Sequence, residues 1–414
     1  MRIQVQMFVG LCLAGALAGG CSERGFRDLT AGEQELVAAS NDFGFRLLDA
    51  VMRQPQLEGE NVILSPLSAS YALGMATNGA AGETRSEMVA ALGFEGGDIL
   101  EVDEWYHGLM GVLRATDGSV SWNLANSVWL QEGFPVSPGF KQTCERFFSA
   151  RSSNVDFAGD FKGAKETING WVEEQTRGRI KEAFGPPPAD TVLLAVLVNA
   201  VYFKGNWTQA FDPEDTKPGV FLAQDGAQIP VAMMKLEAEL PYLAAEGFKA
   251  VSLAYGNGNF RMTLVLPREG FSIDDLATRL AGGEWSNWLA GLEKQEGRVE
   301  LPRFTLEKRY RMNTALQGMG MQRAFSPDLA DFSVLTGQPS DLFIGFVDQG
   351  TFLLVDEEGT EAAAVTSVGG VGLTMEGGGG FVMKLDRPFL VVIHDVHSGT
   401  VLFAGAIRSL PSES

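Results

Sequence analysis

An α+β fold is predicted for this 414-residue chain, and three observations carry the prediction. Apolar residues recur at helical spacing through most of the first half. Short β-branched runs punctuated by Gly, Asn and Pro fill the second. No linker or internal repeat divides the two halves, and a hydrophobic content of 45% is enough for a sizeable core.

In chain order, residues 32–53 carry Leu36, Val37, Phe43, Leu47, Leu48 and Val51 near helical spacing, which predicts a long first helix. Pro66 suits the first turn of a second helix, with Ser65 as its cap. A short helix over 84–92 is ended by Gly93. Residues 122–130 give the first strong strand signal. Helices follow from Pro138 and over 164–177, the latter with Ile168, Trp171 and Val172 as its apolar stripe. After the breaker Pro186-Pro187-Pro188, residues 191–203 are almost continuously apolar and β-branched, as in a strand buried on both faces. Hairpins and strands fill 221–267, and two short helices broken by Gly282-Gly283 occupy 273–292. Strands are expected at 299–306, 342–355, 381–385, 389–396 and 400–407.

The first 20 residues read as an export signal: Arg2, an apolar stretch over 7–17, then small residues up to Cys21. Leu17-Ala18-Gly19-Gly20-Cys21 resembles a bacterial lipobox, in which the cysteine is lipidated and becomes the new N-terminus. Ordinary cleavage near the same place, releasing a secreted protein, is the alternative. Residues 21–29 would then be a short tether and 30–410 a single folded domain, touching a membrane only through a lipid anchor at Cys21.

A formal charge of −20 argues against nucleic acid, whose binding needs Lys and Arg to neutralise phosphates. Cys144 is left alone once Cys12 departs with the signal and Cys21 serves as anchor, so no disulfide framework is expected. It sits in an amphipathic helical pattern and reads as a buried structural thiol. Nothing points to an enzyme: the three histidines are His107, His394 and His397, and neither Gly-x-Ser-x-Gly nor His-Glu-x-x-His occurs. No metal or cofactor site is expected. The Gly377–Gly380 run lacks the strand-loop-helix context of a phosphate cradle and reads as loop slack.

The most informative stretch follows the apolar run Phe352-Leu353-Leu354-Val355. Glu357-Glu358-Gly359-Thr360-Glu361-Ala362-Ala363-Ala364-Val365-Thr366 loses every bulky side chain, and a Gly-rich segment continues to Gly380. Small residues with a β-compatible centre suit a segment that is an exposed loop in one state and a strand in another.

This stretch resembles the hinge of the reactive loop in inhibitory serpins, the serine-protease inhibitors that trap their targets. Four further motifs in the family's order extend the likeness across roughly residues 30–410. They are Asn61-Val62-Ile63-Leu64-Ser65-Pro66-Leu67-Ser68 with Gly79-Ala80-Ala81-Gly82-Glu83-Thr84; Val198-Asn199-Ala200-Val201-Tyr202-Phe203-Lys204-Gly205-Asn206-Trp207 with Phe211-Asp212-Pro213; Leu301-Pro302-Arg303-Phe304; and Arg387-Pro388-Phe389 leading to Gly405.

The resemblance implies a serpin fold, with a large central mixed β-sheet, two smaller sheets and about eight or nine helices. It implies a monomeric bacterial inhibitor of serine proteases, with some cysteine proteases as further targets, acting by cleavage of the loop at 357–380 and its insertion into the central sheet. Counting from Gly359 places the reactive bond at Leu373-Thr374, with Met375 as the rival residue. An unbranched apolar residue there suggests chymotrypsin-, elastase- or subtilisin-like targets. By motif match, Ser65, Ser68 and Asn199 lie where the sheet opens, Gln349 stands where the family carries a histidine, and Trp207 marks where the loop first enters. No glycosaminoglycan site is evident, because residues 95–104, where some animal serpins carry a basic helix, are strongly acidic.

The resemblance implies that Thr360 is the first inserting residue to face the core, and strand alternation then sorts the rest. With Thr360 facing inward, the inward set Thr360, Ala362, Ala364, Thr366, Val368, Gly370 and Gly372 is uncharged, while Glu361 points outward. The competing reading is a serpin-fold protein that does not inhibit and serves as a binding or surface protein. Bulky, charged or Pro residues in the hinge are common in such members, and this hinge's inward-facing positions have none.

Overall fold

The computed structural model describes residues 27–94, 98–187, 191–360 and 380–411. The export signal, Cys21, the hinge residues Glu361, Ala362, Ala363 and Ala364, and the reactive-bond residues Leu373, Thr374 and Met375 lie outside the described residues.

Ten α-helices are present among the described residues. α1 (Ala31–Met52) starts from a reciprocal cap in which the Thr30 hydroxyl accepts from the Glu33 N–H and the Glu33 carboxylate accepts from the Thr30 N–H. α2 (Pro66–Thr77), capped by Ser65, is buried on every side, which its small and apolar residues permit. α3 (Gly82–Leu92) ends at Gly93, whose φ of 83° is the left-handed turn that glycine adopts without strain. α4 (Ile99–Thr116) is the one long helix the sequence reading missed. The others are α5 (Pro138–Phe148), α6 (Phe161–Gln175), α7 (Ile273–Ala281), α8 (Trp285–Ala290), α9 (Asn313–Gly318) and the single turn α10 (Ser333–Thr336). The total exceeds the expected eight or nine through short pieces such as α10.

The strands are β1 (Val62–Leu64), β2 (Ser121–Gln131), β3 (Arg151–Val155), β4 (Ala195–Asn206), β5 (Lys217–Leu222), β6 (Gln228–Ala245), β7 (Phe248–Tyr255), β8 (Phe260–Pro267), β9 (Glu293–Pro302), β10 (Phe304–Arg311), β11 (Ile344–Val355), β12 (Gly359–Thr360), β13 (Phe381–Lys384), β14 (Phe389–Asp395) and β15 (Val401–Ile407). The single strand expected at 299–306 is two, β9 and β10, parted at Arg303. Arg303 donates its backbone N–H to Ala232 O at 2.9 Å as the chain crosses between sheets.

The central sheet runs β10-β11-β4-β2-β3 and is mixed: β11 pairs β4 and β2 pairs β3 in parallel, the other neighbours antiparallel. The two smaller sheets of the expected fold are continuous here, because the 18-residue β6 belongs to both. Its start pairs β5 and β9, and its end turns into β7 and leads on to β8, β14, β15 and β1.

Over 195–203, β4 shows why its sequence carries a single polar amide, Asn199, in an otherwise apolar and aromatic run. Val196, Val198 and Ala200 face a core closed by α6, with Trp129, Ile168, Val172 and Phe184. Ala195, Leu197, Val201 and Phe203 face the main core with α1 and α2. Both faces are covered, so both must be apolar.

The chain beyond the reactive stretch returns as β13, which lies parallel to β9 at the sheet's edge. Its first residue, Phe381, stacks flat on Tyr242 at 3.9 Å and 5°. Gly297 makes room for it, since a Cβ there would come within 2.3 Å of the Phe381 ring. Cys144 is fully buried, and burial pushes its thiol up to about 12, leaving it inert at neutral pH.

Candidate functional site

Two features of the central sheet bear on function: a buried polar row beneath α2, and the seat of the hinge at the sheet's upper end.

The row follows from strand register. Asn126 on β2 and Gln349 on β11 both lie opposite Asn199 on β4, and Tyr310 on β10 lies opposite Gln349. All four side chains are buried. The Asn199 Nδ2 donates to Asn126 Oδ1, to Ser68 Oγ and, at 3.2 Å, to Ser68 O. Gln349 Nε2 donates to Asn199 Oδ1 at 2.6 Å and to Ser65 O at 3.2 Å, while Gln349 Oε1 accepts from the Ser65 N–H at 2.9 Å. The Tyr310 hydroxyl donates to Asn61 O at 2.7 Å and accepts from the Ile63 N–H. Thus the four sequence-selected residues Ser65, Ser68, Asn199 and Gln349 form one network, which ties the start of α2 to the β4–β11 seam. Asn126 belongs to it and Tyr310 lies beside it, bonded to the backbone of Asn61 and Ile63; both were missed. An asparagine in the middle of an apolar strand was the available signal for the first.

Immediately above the row the sheet divides. The β4–β11 ladder runs from Ile344 opposite Ala195 to Thr351 opposite Val201 and goes no further. β4 continues to Asn206 and β11 to Val355, each paired only on its outer side until β12 enters. Gly359 pairs with Asn206 and Thr360 with Gly205, antiparallel to β4.

The turn that delivers β12 is held closely. Asp356 donates its N–H to Gly359 O at 2.9 Å, and Asp356 Oδ1 accepts from the N–H groups of Glu358 and Gly359, each at 3.0 Å. Burial raises the Asp356 carboxyl above its usual range, opposed by those two bonds. Trp207 donates from Nε1 to Asp356 O at 2.9 Å and from its backbone to Glu358 O at 2.8 Å, and its ring stacks on Tyr255 at 4.3 Å. Glu357 is buried, accepting from Thr216 Oγ1 at 2.8 Å, with Arg303 Nη1 3.5 Å away. Glu358 contributes backbone bonds. Gly359 has no room for a side chain: a Cβ would lie 2.1 Å from Gly205 O. The Thr360 side chain is fully buried, its hydroxyl 2.6 Å from that of Tyr255. Tyr255, Thr216 and Arg303 as neighbours of the hinge were not singled out from sequence; they come from three separate segments that only the fold unites.

A divided mixed sheet with a small-residue strand entering the gap is the geometry of one family, and comparison decides it. The profile described as "Serpin (serine protease inhibitor)" matches residues 38–410. The chain is a serpin. Its curated relatives include Iripin-3 of Ixodes ricinus, 33% identical over 386 residues, covering 91% of this serpin and 95% of the relative. Among solved structures, the thermophilic serpin tengpin in its native state superposes with a TM-score of 0.81 at 29% identity, over 93% of this chain and 96% of its own. Human thyroxine-binding globulin complexed with its hormone gives 0.84 at 26% identity, over 92% and 100%. Serpins as a family are protease inhibitors and not catalysts.

Proposed function

We propose that this serpin is a suicide-substrate inhibitor of serine proteases. The target attacks the reactive bond at Leu373-Thr374, or at Met375, and forms an acyl-enzyme. The freed hinge then extends into the gap between β4 and β11, carrying the tethered protease with it. Strand addition of this kind is a general property of serpin reactive loops. The observation that carries the reading is the Gly359–Thr360 rung, which occupies the top of the gap in antiparallel register with Thr360 turned inward. Continued at strand alternation, that register puts Ala362 and Ala364 inward and Glu361 outward. In this scheme Trp207 receives the loop first, and the Ser65, Ser68, Asn199 and Gln349 network is the latch that parts as the sheet opens. Fold alone does not choose inhibition, since thyroxine-binding globulin shares it; the small, uncharged inward positions of the hinge are what support it here.

The test is a denaturing gel of the protein mixed with chymotrypsin, elastase or subtilisin, with mass spectrometry of the released C-terminal peptide. The expected result is a complex that survives denaturation and a peptide beginning at Thr374. Cleavage without any complex would instead place the protein among binding or surface members of the family.

The protein is further inferred to be an exported monomer anchored through an acyl group on Cys21. Expression in a bacterial host with labelled palmitate should give a labelled band that Cys21→Ala removes. An unlabelled protein released into the medium would indicate ordinary cleavage.

A further inference from the structure

A cavity of about 290 Å³ lies between the C-terminal half of α2, α3 and the first turns of α4, and no hinge residue lines it. Its wall is largely apolar, with Val89, Leu92 and Val102, and one acid projects into it. Asp103 is only 2% exposed. Its Oδ1 accepts from Asn78 Nδ2 at 2.8 Å, and no hydrogen bond among the described residues reaches Oδ2. Oδ2 is absent from the enclosed, unsatisfied polar atoms of the described residues and is left open to the cavity that Asp103 lines. Burial pushes the group up to about 7, with the Asn78 hydrogen bond opposing the rise and the charge of Asp98 adding to it.

The other charged groups at the rim are engaged elsewhere. Asp98 accepts from the Leu100 N–H as the cap of α4. Arg85 donates from Nε to Ala80 O at 2.8 Å. Its charge also acts on Asp331, which is held low first by hydrogen bonds from Ser333 and in part by Arg85. The cavity therefore presents an unspent acceptor, a second acid at its mouth and an apolar wall. This complements a positively charged donor on a compact apolar body. The volume sits at the small end of the range of about 300–1,000 Å³ for ligand pockets, which limits that body to about one ring.

We propose that this cavity is a binding site for small organic amines, the ammonium donating to Asp103 Oδ2 and the apolar body resting on Val89, Leu92 and Val102. The site is independent of the reactive loop.

Calorimetric titration of the full chain with 2-phenylethylamine, and with 2-phenylethanol as the uncharged match in shape, tests the proposal. The amine should bind saturably at one site with a Kd of about 1 mM or tighter, and at least about tenfold more tightly than the alcohol. Asp103→Asn should erase the preference, and Val89→Trp, which fills the cavity from a half-buried position, should abolish binding of both. Equal binding of amine and alcohol, a preference that survives Asp103→Asn, or no saturable amine binding would overturn it. Should Asp103→Asn fail to fold, undiminished amine binding by Val89→Trp would overturn it equally.

Discussion

Thr360→Arg is expected to abolish covalent trapping while leaving cleavage of the reactive loop intact. The Thr360 side chain is fully enclosed, with the Tyr255 hydroxyl as its polar neighbour and the stacked Trp207–Tyr255 pair alongside. A guanidinium there is a buried charge without a counter-ion, at a cost of several kcal/mol. The gain it opposes is of similar size. About fourteen residues acquiring ladder bonds at about 0.5–1.5 kcal/mol each yield on the order of 10 kcal/mol; Thr360 is seated before cleavage, and an arginine expelled from that seat must be buried there before most of the gain is realised. Each 1.36 kcal/mol added to the barrier slows insertion about tenfold, so deacylation wins and the protease leaves unharmed. The measurement is the yield of gel-stable complex beside the initial rate of loop cleavage, with Thr360→Ala as a control that keeps both. Wild-type complex formation by the arginine variant would mean that Thr360 does not lead the inserting strand.

The second large effect is expected at Asn199. Asn199→Ala strips partners from Asn126, Ser68 and Gln349 at once, all buried. At about 1–3 kcal/mol per orphaned group, partly relieved by local relaxation, a loss of about 3 kcal/mol is expected. With an unfolding entropy of about 0.8 kcal/mol/K for a domain of about 380 residues, this lowers the melting temperature by roughly 4 °C. If the sheet opens by parting β4 from β11, the Asn199–Gln349 bond is absent once the loop has inserted. The same substitution should then cost the loop-cleaved protein clearly less than the intact one. Equal losses in the two forms, read by scanning calorimetry, would remove the network from any part in opening.

The fold was legible wherever one face of an element decides its sequence. α1, α2, α3 and α5 begin or end within two residues of their predicted bounds, because capping residues and glycines mark helix ends chemically. α4 was missed for the opposite reason. Its exposed face carries Glu101 and Glu104, which drew attention to charge, although Val102, Tyr106, Leu109 and Leu113 keep helical spacing and Asp98 caps it. The split between β9 and β10 left no periodic trace, since Pro302 and Phe304 both continue an apolar run while the backbone between them changes sheets. In the candidate site, residues within recognisable motifs were found. Tyr255 and Thr216 were not, because their chemistry arises from tertiary placement and each is unremarkable in its own segment.

The short strand β13 gives the reactive stretch a second fastening, and the two fastenings are unequal. At one end two residues, Gly359 and Thr360, hold to β4; at the other, four residues hold to β9 and an aromatic ring is clamped on Tyr242 over Gly297. An intact strap fixed at both ends can be drawn into the sheet only by peeling its firmer end. On the proposed mechanism a single cut removes that requirement: the carboxyl-side half stays clamped through β13, and the amino-side half follows Thr360 into the gap. If the protein works by that insertion, the working lifetime of the uncut form depends on how long one stacked phenylalanine and four rungs hold. A lever for lengthening it then lies at Phe381 and Gly297, outside the hinge itself.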